Sequence, residues 1–229
     1  FLTLQYWLAG SEDNVVSLVH FLVGRYADGP RRALRDRAKA APPVEYPETG
    51  LYHPRLAGRT TDRLDRMPAP PSPCRGRVGL LMMRSYALEE RGLEVVPAFA
   101  SGLDMRPAVE AFFRKPAVDA VVSLTGFSLV GGPAYNDAAA AQDLLTSLDV
   151  PYLAAHAVEF QTLEQWEASD RGLMPVEATL MVAIPELDGA TNPMLFGGRA
   201  ESGTGTEARD MRPHLERTRM LAARVAKLV

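Results

Sequence analysis

Cysteine is almost missing from this sequence: Cys74 stands alone among 229 residues. One thiol permits neither an internal disulfide nor a cysteine-rich zinc site, which fits a reducing cytosol. Lysine is nearly as scarce, with three against 22 arginines, a bias that reads as genomic composition. The net charge of −3 lacks the basic excess of a nucleic-acid binder. No apolar run reaches the roughly 18 residues that a membrane span needs. No secretory leader opens the chain, and Phe1 begins inside a structured pattern, so an upstream segment is expected.

What is present describes an ordinary globular chain, 47% apolar and 23% charged, sufficient for one large domain or two small ones. "LTLQYWLA" alternates Leu2, Leu4, Tyr6 and Leu8 with Thr3, Gln5 and Trp7, which predicts a half-buried strand. A helix follows, with Val15, Leu18, Val19, Leu22 and Tyr26 at helical spacing and "DGP" as its stop. Residues 41–76 are proline-rich and aperiodic and are expected to form a linker. The expected organisation is therefore 1–40 as a strand and helix of a preceding domain, 41–76 as linker, and 77–229 as an α/β domain.

Within that last part, "RVGLLMM", "LEVVPAFA", "VDAVVSL", "PYLAA", "ATLMVAI" and "PMLFGG" read as strands. "RPAVEAFFRK", "NDAAAAQDLLTSLD", "TLEQWEAS" (with Thr162 and Gln165 as a capping box) and 211–228 read as helices. Strands apolar throughout and alternating with helices predict an α/β fold of mainly parallel sheets flanked by helices, in Rossmann- or flavodoxin-like layers. One spacing conflicts with this pattern. Only "RSYALEERG" joins two strands that should be parallel, whereas a crossover needs about a dozen residues or more. A missing segment is expected near Tyr86, with similar joins near Pro116 and Gly203.

The stretch "SLTGFSLVGGPAYND", residues 123–137, has the look of a phosphate-binding turn. It carries no lysine, however, and neither G-x-x-x-x-G-K-[ST] nor G-x-G-x-x-G spacing. The expectation is a tight turn capped by Asn136 or Asp137, placed past the carboxyl end of a central strand where open sheets take ligands.

Several long motifs carry a resemblance. "TLQYWLAGSEDNV", "VEYPETGLYHPR", "VVSLTGFSLVGGPAYND", "DVPYLAAHAVEFQTLEQW" and "SDRGLMPVEATLMVAIPELDGA" resemble the large-subunit family of magnesium chelatase and cobaltochelatase, with wording nearer the magnesium H type. The resemblance implies a fragment of a larger multidomain subunit that binds protoporphyrin IX while Mg²⁺ is inserted. ATP would be hydrolysed by separate AAA+ partners of the I and D types, in chlorophyll or bacteriochlorophyll synthesis. It further implies a cytoplasmic protein, peripheral to photosynthetic membranes. A cobaltochelatase large subunit and a non-catalytic scaffold portion that docks partners are the alternatives.

Such chemistry needs bases for two pyrrole protons, donors for propionates and oxygen ligands for Mg²⁺. His156 and Glu159 follow a predicted strand at the ligand edge and are candidate catalytic groups, against a helix-opening loop with a hydrogen-bonded histidine. Glu186 and Asp188 flank a predicted turn and are candidate Mg²⁺ ligands, against a solvated turn with Asp188-Gly189 at its corner. Gly126, Gly131, Gly132 and Trp166 are candidate porphyrin contacts, the tryptophan against simple core filling. The basic run at 31–39 reads either as a partner surface or as a solvated face.

Overall fold

The structure, a computed structural model, describes residues 1–9, 12–44, 47–56, 59–82, 92–132, 135–200 and 211–229. The chain forms two bodies, Phe1–Pro47 and Glu48–Val229. The expected joins near Tyr86 and Gly203 lie outside the described residues.

The first body is helical. The predicted strand at its start is instead helix α1 (Leu2–Ala9), followed by α2 (Glu12–Tyr26) and a 3-10 turn over Gly29–Leu34. An eight-residue apolar segment fits either period, and here the neighbouring helix decides: the Tyr6 ring meets Phe21 of α2 at 6.2 Å. The chain then returns along α2. Asn14 and Val44 exchange two hydrogen bonds, Nδ2 to the Val44 carbonyl at 2.8 Å and the Val44 amide to Oδ1 at 2.9 Å. His20 Nδ1 donates to the Lys39 carbonyl at 3.0 Å, and the Tyr6 hydroxyl donates to the Ala41 carbonyl.

The second body is built on an eight-stranded sheet. Its strands are β1 (Thr49–Tyr52), β2 (Thr60–Thr61), β3 (Gly76–Leu81), β4 (Leu93–Ala100), β5 (Ala120–Ser123), β8 (Tyr152–Thr162), β9 (Thr191–Arg199) and β10 (Met211–Pro213). A separate two-stranded hairpin pairs β6 (Gly131–Gly132) with β7 (Tyr135–Asn136). The order is β10-β9-β8-β5-β3-β4-β1-β2, with β9, β8, β5, β3 and β4 parallel and the three outer strands antiparallel to their neighbours. Counted along the chain, the parallel core runs 2-1-3-4-5, a doubly wound order whose switch point falls between β3 and β5. The segment expected to be all linker thus supplies β1 and β2, and the division between bodies falls at Pro47.

Burial on both faces explains the apolar strands. Leu81, Val96, Ala98, Val121 and Ala154 point into one core with Ala108, Val109 and Phe112 of α3 (Arg106–Phe112) and Ala141 and Leu144 of α4 (Ala138–Leu148). Their strand neighbours Val78, Leu80, Val122, Leu153 and Ala155 point the other way, onto Leu221, Ala222 and Val225 of α8 (Leu215–Leu228). Each fully buried Leu or Val contributes about 1.5–3 kcal/mol, so α8 is held by the short stripe of Leu221, Ala222 and Val225. Two expected caps form: Asp137 accepts the Ala140 amide at the start of α4, and Thr162 and Gln165 make a reciprocal box opening α5 (Leu163–Glu167).

The predicted strand "ATLMVAI" is helical. It lies within α6 (Pro175–Ala178), a π-helical turn over Thr179–Ala183, and α7 (Ile184–Asp188). Pro175 sits in the first turn and Glu177 accepts the Met174 amide at 3.0 Å, so the helix is started from its own end. Pro185 cannot donate to the carbonyl four residues back, and the wider turn just before it accommodates that loss. Among the described residues no helix is long and apolar enough to cross a membrane.

Candidate functional site

The carboxyl ends of β5, β8 and β9 open onto a cleft of about 480 Å³. Leu124 and Thr125 line it from the loop after β5, Ala157 and Glu159 from β8, Phe196 to Arg199 from β9, and Met211 to Pro213 from β10. This is the end at which an open parallel sheet of this winding leaves a crevice.

β8 and β9 bring Glu159 to the rim through irregular pairing. Their register shifts between His156 and Ala157 and again between Val158 and Thr162. Glu159 and Phe160 are consequently both exposed, which strict alternation forbids, while Gln161 turns inward. The inward turn is fixed by hydrogen bonds from Gln161 Nε2 to the Gly172 carbonyl at 3.2 Å and to Glu177 Oε2. Glu177 is wholly buried, holds the Met174 amide with that same oxygen, and among the described residues leaves Oε1 without a partner. The rim thus carries one exposed carboxylate, Glu159, with Arg199 and Arg212 across β9 and β10, above apolar Leu124, Phe196 and Met211.

The glycine-rich stretch turns a corner by using its own amides. The Leu129 amide donates to Asp188 Oδ2 at 2.7 Å, the Val130 amide to Ser128 Oγ at 3.3 Å, and the Gly131 amide to the Leu103 carbonyl at 3.1 Å. Donors already engaged inside the fold do not form a phosphate cradle. Gly126 has φ +80° and faces open space, so it supplies a left-handed turn beside Thr125 at the cleft. Gly131, at φ +107°, is held by the hairpin: a side chain there would meet the Tyr135 carbonyl at 2.2 Å. Gly132 packs against Leu103 in the same way. Neither Gly131 nor Gly132 lines the cleft.

The other sequence candidates separate. His156 does not follow a strand; it lies inside β8, 2% exposed, on the face shared with Tyr152 and Ala154 by alternation. Among the described residues both its ring nitrogens lack partners, and burial lowers its pKa to about 4, so the ring is neutral at neutral pH. Glu186 and Asp188 occupy a helix and not a turn after a strand; Glu186 faces solvent while Asp188 is 0% exposed. Asp188 accepts from Ser128 Oγ at 3.0 Å as well as from the Leu129 amide, and burial raises its pKa. The two carboxylates do not converge, and no cluster of three metal-ligating side chains occurs among the described residues. Trp166 is half-buried against Val158, Leu163 and Leu195. Arg217 sits 5.0 Å over its ring, and His214 meets it edge-on at 6.3 Å. His214 is itself the N-cap of α8, taking the Arg217 amide on Nδ1 and facing Glu167 with Nε2 at 2.9 Å.

Sequence reasoning missed Arg199 and Arg212. The available signal was the run "LFGGR", in which a cation directly follows two glycines at a strand's end, but its neighbour across β10 is fixed only by the antiparallel pairing Arg212↔Gly198.

The CobN/Magnesium Chelatase family model matches residues 4–229. The H subunit of magnesium chelatase from Rhodobacter capsulatus is 51% identical over 94% of this chain and 19% of its own length. The protein of that name from Cereibacter sphaeroides is 48% identical over 100% of this chain and 21% of its own, in an alignment of 258 positions against 229 residues here. An alignment longer than the chain accords with internal segments that the relative carries and this chain lacks. The chloroplastic ChlH protein of Oryza sativa subsp. indica, also a magnesium-chelatase subunit, is 37% identical over 86% of the chain. The CobN protein of a Sinorhizobium, from an aerobic cobaltochelatase, is 35% identical over 45%. The chain spans about a fifth of the length of the Rhodobacter and Cereibacter relatives. With 226 consecutive positions matched and half its residues shared with such relatives, this chain belongs to the CobN/magnesium chelatase family.

Proposed function

We propose that this chain is part of a magnesium chelatase large subunit and that its cleft contacts protoporphyrin IX while Mg²⁺ is inserted. The carrying observation is the cleft itself, which combines apolar walls with two arginines and one exposed carboxylate at the carboxyl end of the parallel sheet. A porphyrin presents a flat apolar ring, two carboxylates and two pyrrole N–H groups. Phe196, Met211 and Leu124 match the ring, Arg199 and Arg212 match the propionates, and Glu159 is the base for a pyrrole proton. Gly126 gives the ring an unobstructed edge beside Thr125. His156, walled off within the sheet, and Trp166, engaged by Arg217, act through the scaffold and not on the porphyrin. Asp188 likewise anchors the loop after β5, and any Mg²⁺-delivering role of Glu186 calls for ligands beyond this body.

The Leu129, Val130 and Gly131 amides of the glycine-rich turn are engaged within the fold, and we assign ATP hydrolysis to separate AAA+ subunits of the I and D types. We place the protein in the cytoplasm, peripheral to photosynthetic membranes. The test uses the full-length subunit with its ATPase partners. Arg199→Ala with Arg212→Ala should weaken porphyrin binding about ten- to a hundredfold by fluorescence quenching, the value of one or two charge-assisted bonds. Glu159→Gln should leave binding intact and slow Mg²⁺ insertion about 10²- to 10⁴-fold. Wild-type binding and turnover in both variants would remove the cleft from the mechanism. Insertion of Co²⁺ but never Mg²⁺ would assign the subunit to cobalt chemistry.

A further inference from the structure

Helix α2 presents an apolar stripe outward. Val15, Val19, Leu22 and Tyr26 recur at i, i+4, i+7 and i+11, which places them on one narrow stripe, and all four are exposed. Phe1, Leu4 and Trp7, at and along α1, are exposed as well, Trp7 at 68%. Phe21 packs on the Tyr6 ring, and the part of α2 beneath the returning segment is polar or small. Asn14 and Ser17 are covered, His20 is bonded to the Lys39 carbonyl, and Gly24 lies beneath the Ala38 carbonyl. The returning segment 38–44 therefore covers polar and small positions of α2, and among the described residues the Val15–Tyr26 stripe stays exposed. A contiguous apolar stripe of this kind marks an interface.

We propose that this stripe is buried, in the full-length subunit, against another folded portion of the same polypeptide that presents an apolar groove. The inference rests on the reading that residues 1–229 are part of a longer chain. Its support is that the matched relatives are about five times as long, which leaves four-fifths of such a polypeptide to cover this face. A covalent tether also supplies a high effective concentration that a separate partner lacks. Helix α2 carries one basic residue, Arg25, against Glu12 and Asp13, unlike the lysine- and arginine-rich polar face of a helix that lies on an anionic membrane, and this favours protein over lipid as its cover.

The experiment is maleimide labelling of the full-length subunit carrying Val19→Cys or Leu22→Cys, read by peptide mass spectrometry, with exposed Arg31→Cys as the fast control. At dilutions where the subunit is monomeric, the thiols introduced at positions 19 and 22 should label at least about tenfold more slowly than the one at position 31. Hydrogen exchange of the wild-type subunit over 13–26 gives the same answer without a substitution, as strong protection in the monomer. Labelling of all three positions at one rate in the monomer overturns the proposal. So does protection that develops only at high protein concentration or only on anionic phosphatidylglycerol vesicles, because a second copy or a lipid surface would then be the cover. None of these readouts uses porphyrin, so the proposed cleft chemistry stands or falls separately.

Discussion

Removing the Asp188 carboxyl tests how the loop after β5 is held. The side chain is wholly buried and accepts from the Leu129 amide at 2.7 Å and Ser128 Oγ at 3.0 Å, bridging segments about 60 residues apart. In Asp188→Ala the Ser128 hydroxyl can fall back on the Val130 carbonyl, which it already meets at 3.1 Å. The Leu129 amide has no such alternative, and a stranded buried N–H costs about 1–3 kcal/mol. Adding about 1 kcal/mol for the space left behind gives a loss of about 2–4 kcal/mol, or roughly 5–15 °C in Tm for a body of this size. Asp188→Asn keeps an oxygen for Leu129 and should stay within about 1 kcal/mol of the parent.

The pH dependence has a definite sign. Burial raises the folded-state pKa of Asp188 above its ordinary 3.8, so the folded form holds the proton longer than the unfolded one. The parent should therefore lose stability relative to Asp188→Asn as pH climbs from about 3.8 through the raised value. Urea titrations followed by Trp166 fluorescence in a Trp7→Phe background would measure this for the second body alone. Equal stability of the Ala and Asn variants would refute the Leu129 argument, and a flat parent-minus-Asn difference across that pH range would refute the burial argument.

Two further outcomes are expected. His156, with its pKa lowered from 6.5 to about 4 by burial, contributes stability that is fully present above pH 6.5 and lost as pH falls to about 4. At about 1.36 kcal/mol per pH unit the loss approaches 3 kcal/mol, and it should vanish in His156→Leu; an unchanged acid limb in that variant would mean that another group is responsible. Gly126→Ala should cost only the left-handed strain, about 1–2 kcal/mol, whereas Gly131→Ala adds a collision with the Tyr135 carbonyl and should cost at least about 1 kcal/mol more. The reverse ranking in thermal melts would contradict the hairpin geometry.

Signals confined to a few neighbouring residues are legible in the sequence. β4 spans 93–100 as expected, the Thr162–Gln165 box forms, and Asp137 caps α4, because each depends on its own segment. Helix α1 and the helix through 178–184 read as strands in the sequence, since β-branched and alternating apolar residues carry no record of what packs beside them. The candidate site is legible in its location and not in its members. Glu159 stands out in the sequence, but its exposure depends on two register shifts between β8 and β9. Arg212 joins Arg199 only because β10 folds back antiparallel onto β9. Trp166 looks free for stacking because Arg217, about 50 residues later in the chain, gives no local sign of lying over its ring.

The two short strands before the parallel core have a practical consequence for anyone trimming this protein. β1 lies along β4 through Thr49↔Ala100, Gly50↔Phe99 and Leu51↔Ala98. A chain begun at Arg75, where composition suggests a natural start, would leave that row of amides and carbonyls on β4 bare. An unguarded strand flank of this sort recruits other chains, so such a truncation should be prone to aggregate even with its interior intact. Starting at Glu48 retains the guard.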